Sequence, residues 1–260
     1  MTAFAPETGM LTASRGLINA LVQATVTGEG DTLAVDALLA EVGAGSLAAP
    51  HPALAAALEP LTRPIIGVRL AKTGFVMPGW IGEGRFTLHV HRRPTGEDDQ
   101  LVSMPAGQLL HFLVWLLDVG PRPRDPRPPE TTVPSEALNR AIAFQLGDRA
   151  TTGLLPEPLD AAIAGGFRDW WLASARWPAA PDRPGSFTVE VIDTDAGLWS
   201  VEQREDGTAV VRPLTPLGTL LALAELVPDN DLVDQTAPRL PVQDTPIVGG
   251  QVKWVGDALR

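Results

Sequence analysis

Residues 84–117 and 197–227 carry one pattern twice, and this duplication limits what the chain can fold into more than any other feature. "GRFTLHV" from Gly84 aligns with "GLWSVEQ" from Gly197, and "MPAGQLLHFLVWLL" from Met104 aligns with "TPLGTLLALAELV" from Thr215. Pro105 falls on Pro216, Gly107 on Gly218 and the Leu109–Leu110 pair on Leu220–Leu221. One short gap in a turn reconciles the two alignments. Each copy reads as strand, strand, turn, strand and a proline-led helix.

The local chemistry of each copy supports that order. "PIIGVRL", Pro64 to Leu70, is a β-branched run that fits a strand. In "FTLHVHRR", Phe86, Leu88 and Val90 alternate with Thr87, His89 and His91, as in a half-buried antiparallel strand. The polar turn "RPTGEDD" leads to a short strand around Leu101 and Val102. Pro105 then suits the first helical position, where a missing N–H costs nothing. The first copy carries a long connection, "AKTGFVMPGWIGEG", where the second has only the turn "DTDAG".

These observations predict βββα units at 64–118 and 186–228. Each exposes one strand edge and is too small for much independent stability, so the two are expected to pair about a pseudo-two-fold axis. The expected product is a single α+β domain over 1–260, a central mainly antiparallel sheet flanked by helices.

The helices around the units follow from apolar spacing. Ser14 reads as the cap of a helix carrying Leu17, Ile18, Leu21 and Val22, and Asp31 as the cap of a second with Leu33, Val35, Leu38 and Leu39. Pro52 to Leu61 reads as a third. The stretch 121–134 holds six prolines and reads as a semi-rigid linker. A helical insert is expected over 135–178, one helix capped near Ser135 with Leu138, Ile142 and Phe144, the other from about Pro158 to Trp177. The acidic, proline-rich tail 229–260 reads as loop-like, with Trp254 as an anchor.

The run Leu109 to Leu117 looks at first like a membrane span. It is far shorter than the roughly 20 apolar residues a span needs and is closed by Asp118. The N-terminus has no basic start followed by an apolar core, so no secretory signal is read there, and a cytoplasmic location is the default. A helix so apolar around its circumference is expected to be buried on more than one side.

Composition removes several functional classes. A net charge of -11 opposes binding to phosphate backbones and anionic lipid heads, so neither a nucleic-acid partner nor membrane insertion is expected. The absence of cysteine excludes disulfides, zinc–thiolate sites, iron–sulfur clusters and a cysteine nucleophile. With two lysines, Lys72 and Lys253, among 20 basic residues, and no tyrosine, the usage points to a GC-rich bacterial genome.

His89 and His91 share one strand face and are the best candidates for a metal pair. The competing reading, which is favoured, puts both on the solvent face beside Arg92 and Arg93. Asp193 and Asp195 form a D-x-D suited to a divalent cation, but their place before Gly197 favours a turn. No nucleophile elbow, phosphate loop, H-E-x-x-H or dinucleotide-binding glycine pattern is present. No catalytic residue, metal ligand or cofactor is therefore expected. Phe167, Trp170, Trp171 and Trp177 fall at helical spacing and read as a core stripe. Phe75, Val76, Met77, Trp80 and Ile81, in a glycine-containing connection, either fold back over the sheet or meet a partner.

The strands "RPIIGVRL" and "GRFTLHVHRR", the helix "LVSMPAGQLLHFLVWLL", and the second set from Phe187 to Val227 together resemble the EspG family, the cytosolic chaperones of actinobacterial type VII (ESX) secretion. The resemblance covers about residues 10–230. It implies a pseudo-two-fold α+β fold and binding to the hydrophobic tip of a PPE protein in its PE–PPE heterodimer, which stays soluble until export. It brings no catalytic residues. Phe75, Met77, Trp80, Ile81, Arg92 and Arg93 are the expected partner-facing residues. Two other readings stand beside this one, an immunity or scaffold protein and a metal-dependent enzyme using His89 and His91.

Overall fold

The computed structural model describes residues 2–29, 31–73, 75–92, 98–121, 130–146, 153–177 and 185–226. The expected tail 229–260, its Trp254, most of the 121–134 linker and the tip of the "RPTGEDD" turn lie outside the described residues. The elements in chain order are β1 (Ala3–Ala5), β2 (Met10–Ala13), α1 (Arg15–Thr27), α2 (Thr32–Glu41), α3 (Pro52–Thr62), β3 (Ile66–Lys72), β4 (Phe75–Ile81), β5 (Arg85–Arg92) and β6 (Asp99–Pro105). A single 3-10 turn, Ala106–Gln108, leads into α4 (Leu109–Leu116). There follow β7 (Thr131–Pro134), α5 (Ser135–Leu146), α6 (Glu157–Gly166), β8 (Phe167–Arg176), β9 (Ser186–Thr194), β10 (Gly197–Gln203), β11 (Thr208–Leu214) and α7 (Pro216–Ala224).

Among the described residues the strands form an eleven-stranded sheet in the order β1-β2-β6-β5-β4-β3-β8-β9-β10-β11-β7, and the architecture is α+β, as expected. The chain divides into two compact units, the first mainly Met1–Leu113 with Ala173–Thr188, the second mainly Val114–Leu172 with Val189–Ala224.

The duplication is larger than the sequence pattern suggested. The connection expected between the first two strands of the first copy is itself a strand, β4, paired along its length with β3 from Ile66↔Ile81 to Lys72↔Phe75. Its counterpart is β9, and the counterpart of β3 is β8. Each copy is thus a four-stranded meander followed by a helix, β3–β6 with α4 and β8–β11 with α7. Each also places an earlier short strand, β2 or β7, beside the last strand of its meander.

Pro78 and Gly79 disguise β4 in the sequence. Proline cannot donate to a ladder, and the β4–β5 register runs Phe75↔Arg92 and Val76↔His91 and resumes only at Gly79↔Leu88. Gly79 permits close approach, since a Cβ there would come 2.5 Å from Leu88 Cδ2.

The helix expected from Pro158 to Trp177 ends at Gly166, and the aromatic stripe lies on β8. Trp171, Ala173, Ala175 and Trp177 are buried in strict alternation, a period of two that the helical spacing of Phe167, Trp170 and Trp171 concealed. In the second unit Trp170 Nε1 donates to Glu190 at 2.9 Å, and Gln203 Nε2 reaches the same carboxylate at 3.3 Å.

In the first unit α1, α2 and α3 lie over one face of the meander. Their core unites Ile18, Leu21, Val22, Val35, Leu38, Leu39, Leu54, Leu58 and Leu61 with Leu11, Trp80 and Leu101 from the strands. Asp31 caps α2 through a 3.0 Å bond from Ala34 N–H. His51 Nδ1 accepts from Ala53 N–H at 3.2 Å and caps α3, which Pro52 opens. Ser14 stands at the N-cap of α1 without a capping side-chain bond. On the opposite face Phe86 packs against Phe112 of α4, ring centroids 5.9 Å apart.

The α4 helix departs from its expected enclosure. Leu109, Leu113 and Leu117 are buried along one stripe, while Trp115 is 75% exposed. In α7 the buried stripe is Thr219 and Leu223, and Leu217 and Leu221 are exposed.

Truncation at the core should separate the buried from the exposed large side chains. Trp80→Ala is expected to lower unfolding free energy by about 3–5 kcal/mol in urea titration, whereas Leu33→Ser, at a side chain 82% exposed, should change it by less than about 0.5 kcal/mol.

Candidate functional site

A buried polar cluster lies on the helix-covered face of the β5–β6 hairpin. Antiparallel register sets His89 opposite Leu101 and Val90 opposite Gln100, so His91 stands across from Asp99. Side chains two apart on a strand share a face, which brings His89, His91 and Asp99 together. On the other side of β6, the pairing Ala13↔Asp99 delivers the chain into α1 just where Arg15 begins.

Asp99 is fully buried and gathers the cluster. Its Oδ2 accepts from His89 Nε2 at 3.0 Å and from His91 Nδ1 at 2.7 Å. Arg15 Nε donates to the same oxygen at 3.1 Å, and Arg15 Nη2 approaches Oδ1 at 3.4 Å. The imidazole centroids lie 3.8 Å apart. His89 is fully buried, the His91 side chain is 11% exposed, and that of Arg15 is 40% exposed. His89 Nδ1 is buried without a hydrogen-bond partner among the described residues.

These surroundings fix the protonation states. Burial disfavours the imidazolium of His89 and outweighs the attraction of Asp99, so its pKa is lowered. His91 is pushed down to about 4, by burial first and then by His89, against the pull of Asp99. Burial alone would raise Asp99, but the hydrogen bonds from His89 and Arg15 hold it down to about 2. At neutral pH the cluster is one carboxylate, one guanidinium and two neutral imidazoles that donate to the carboxylate.

The structure corrects the placement of both histidines. The face that looked solvated by alternation lies beneath α1 and α3, where Thr87 Oγ1 donates to Ala57 O at 2.7 Å. Asp99 and Arg15 were missed by sequence reasoning, Asp99 because it sat in the polar run read as a turn. Counting back along an antiparallel partner from Leu101 would have set it across from His91.

Of the expected partner-facing residues, Met77, Trp80 and Ile81 are fully buried, Trp80 in the core beneath the three helices. They are strand residues that hold the unit together, and they present no surface of their own. Phe75 and Arg92 face each other in register at the end of β4 and β5. Arg93 lies outside the described residues. Asp193 is a buried residue of β9 paired with Leu198 of β10, and Asp195 follows β9 in a two-residue hairpin turn, where Arg168 Nε donates to Asp195 Oδ1 at 2.6 Å. Thr194 Oγ1 donates to Gly197 O at 3.0 Å, so of the D-x-D only Asp195 belongs to the turn, while Asp193 belongs to the strand. Among the described residues no helix is long and apolar enough to cross a membrane.

The chain overlays on the Mycobacterium tuberculosis type VII secretion system chaperone EspG5, solved in complex with the PE25–PPE41 dimer. The TM-score is 0.53 at 13% identity, over 84% of this chain and 97% of that one. The fold is EspG-like. No protein-family model and no curated protein matches the chain. A DNA polymerase III β subunit from Borrelia burgdorferi overlays at a TM-score of only 0.14, too low to carry a comparison.

The buried imidazoles make stability depend on pH. Both have folded pKa values below the unfolded value of 6.5, so between about 6.5 and 4 the unfolded chain binds protons that the folded chain refuses. The urea midpoint should fall as pH drops through that window, and His91→Asn should flatten the fall. Asp99 adds stability above its unfolded value of 3.8 that is lost as pH falls toward 2.

Proposed function

We infer that this chain is a non-enzymatic, cytoplasmic chaperone of type VII secretion. In this reading it binds the apolar helical tip of a PE–PPE heterodimer and keeps that substrate soluble until export. The observation that carries the reading is the overlay on EspG5, a chaperone solved with its PE–PPE substrate, across 97% of its length. The duplicated strand pattern and proline-led helices supply independent support from sequence. A soluble acidic body with net charge -11 also suits a protein that must shield an apolar tip without precipitating.

The partner-facing region is assigned to the end of the sheet where Phe75 and Arg92 stand in register, together with Arg93 and the connection between β5 and β6. Arginine is enriched at interfaces because its planar guanidinium both stacks and donates in a fork. Met77, two residues along β4 from Phe75, is buried support beside that end, whereas Trp80 and Ile81 are buried at the opposite end of the strand.

Co-expression with tagged PE–PPE heterodimers of the source organism, followed by size-exclusion chromatography, tests the assignment. At least one heterodimer should co-elute with the chain, and the double variant Arg92→Glu, Arg93→Glu should weaken binding about tenfold or more without lowering the melting temperature. Failure of every heterodimer to co-elute would contradict the function. Co-elution unaffected by the double variant would contradict the assigned surface.

A further inference from the structure

His89, His91 and Asp99 bring three potential metal-ligating atoms together. Each residue offers one ligand atom, and those three atoms lie within 4.8 Å of one another. A histidine pair two apart on one strand, completed by a carboxylate from the neighbouring strand, supplies the two-nitrogen, one-oxygen donor set that first-row divalent metals accept. We propose that His89 Nε2, His91 Nδ1 and Asp99 Oδ2 bind one divalent transition metal ion of the zinc class, with solvent completing the coordination on the side of His91. This proposal stands on the cluster alone and does not depend on the chaperone reading.

The charges and protons of the cluster fit the exchange. Ligand atoms about 2 Å from a zinc ion stand roughly 3–4 Å apart, so contacts of 3.0 and 2.7 Å need only a small opening. Each neutral imidazole moves its proton to its other ring nitrogen and turns a lone pair to the metal, so no proton is lost. At His89 that other nitrogen is Nδ1, which is buried with no hydrogen-bond partner among the described residues. The carboxylate is already ionised, which a hard or borderline cation requires. Arg15 Nε, which donates to Oδ2 at 3.1 Å, yields that bond to the metal, while Arg15 Nη2 keeps its 3.4 Å contact with Oδ1 and becomes the outer partner that orients the ligating carboxylate, at the cost of placing one positive charge near another. A bound ion would tie β5 to β6 beside β2, at the end of the hairpin next to its connecting turn.

Titration of the full chain, purified without a histidine tag and treated with chelator, tests the site. Isothermal calorimetry with Zn(II) should give one equivalent per chain, and the melting temperature should rise with Zn(II). His91→Ala should weaken binding at least about tenfold, whereas His111→Ala, at an exposed helix position, should leave it unchanged. Because His91→Ala risks misfolding, ring-nitrogen NMR of the wild-type chain gives a second measurement. On one equivalent of Zn(II), two of the four histidines should shift, each at one ring nitrogen. No binding, binding that survives His91→Ala, or shifts at His51 or His111 would overturn the proposal.

Discussion

The pairing of β2 with β6 is the contact on which the first unit depends. A four-stranded meander leaves two long edges with unpaired backbone groups, and an exposed edge recruits other chains. Met10–Ala13 covers the β6 edge and then runs directly into α1, so the same short strand closes the sheet and sets the first helix over it. The register Ala13↔Asp99 also fixes where Arg15 meets the buried carboxylate. In the second unit β7 does the same for β11 and leads directly into α5. There Arg212 of β11 pairs with Glu130, just before β7, at 2.6 Å, and with Glu202 of β10.

A buried Asp–Arg–His cluster is weak support for stability in itself, because removing charges from water costs about as much as their attraction returns. Its contribution is to register. A slip of one residue in β5 or β6 would turn His89, His91 or Asp99 to the other face and leave an unpaired charge under α1. The cluster therefore specifies the register of the hairpin at the same end that is assigned to partner binding.

Much of this was legible in the sequence, and the misses share a physical cause. The α+β class, the internal duplication, the cap at Asp31 and the prolines that open α3 and α7 were read from local pattern, because caps, prolines and alternation act over a few residues; Pro105, by contrast, ends β6 ahead of a 3-10 turn, and the Ser135 hydroxyl donates to Gln203. β4 was hidden because Pro78 and Gly79 normally break a strand, and they are tolerated here only through a gap in the ladder and a close approach to Leu88. The β8 strand was hidden because aromatic residues at 167, 170 and 171 also satisfy a helical period. His89 and His91 alternate with apolar residues just as solvated positions would. What buries them is α1 and α3, distant in sequence, and alternation along one strand carries no sign of a second covering layer.

Hydrogen exchange tests the central claim, that this EspG-like fold binds a PE–PPE substrate through one end of its β4–β5–β6 sheet. Exchange would be followed for the chain alone and saturated with a PE–PPE heterodimer of its source organism. The account predicts slowed exchange concentrated in residues 90–100, with the α1–α3 core unchanged. Protection confined to the exposed faces of α4 and α7, or no protection at any position, would contradict it.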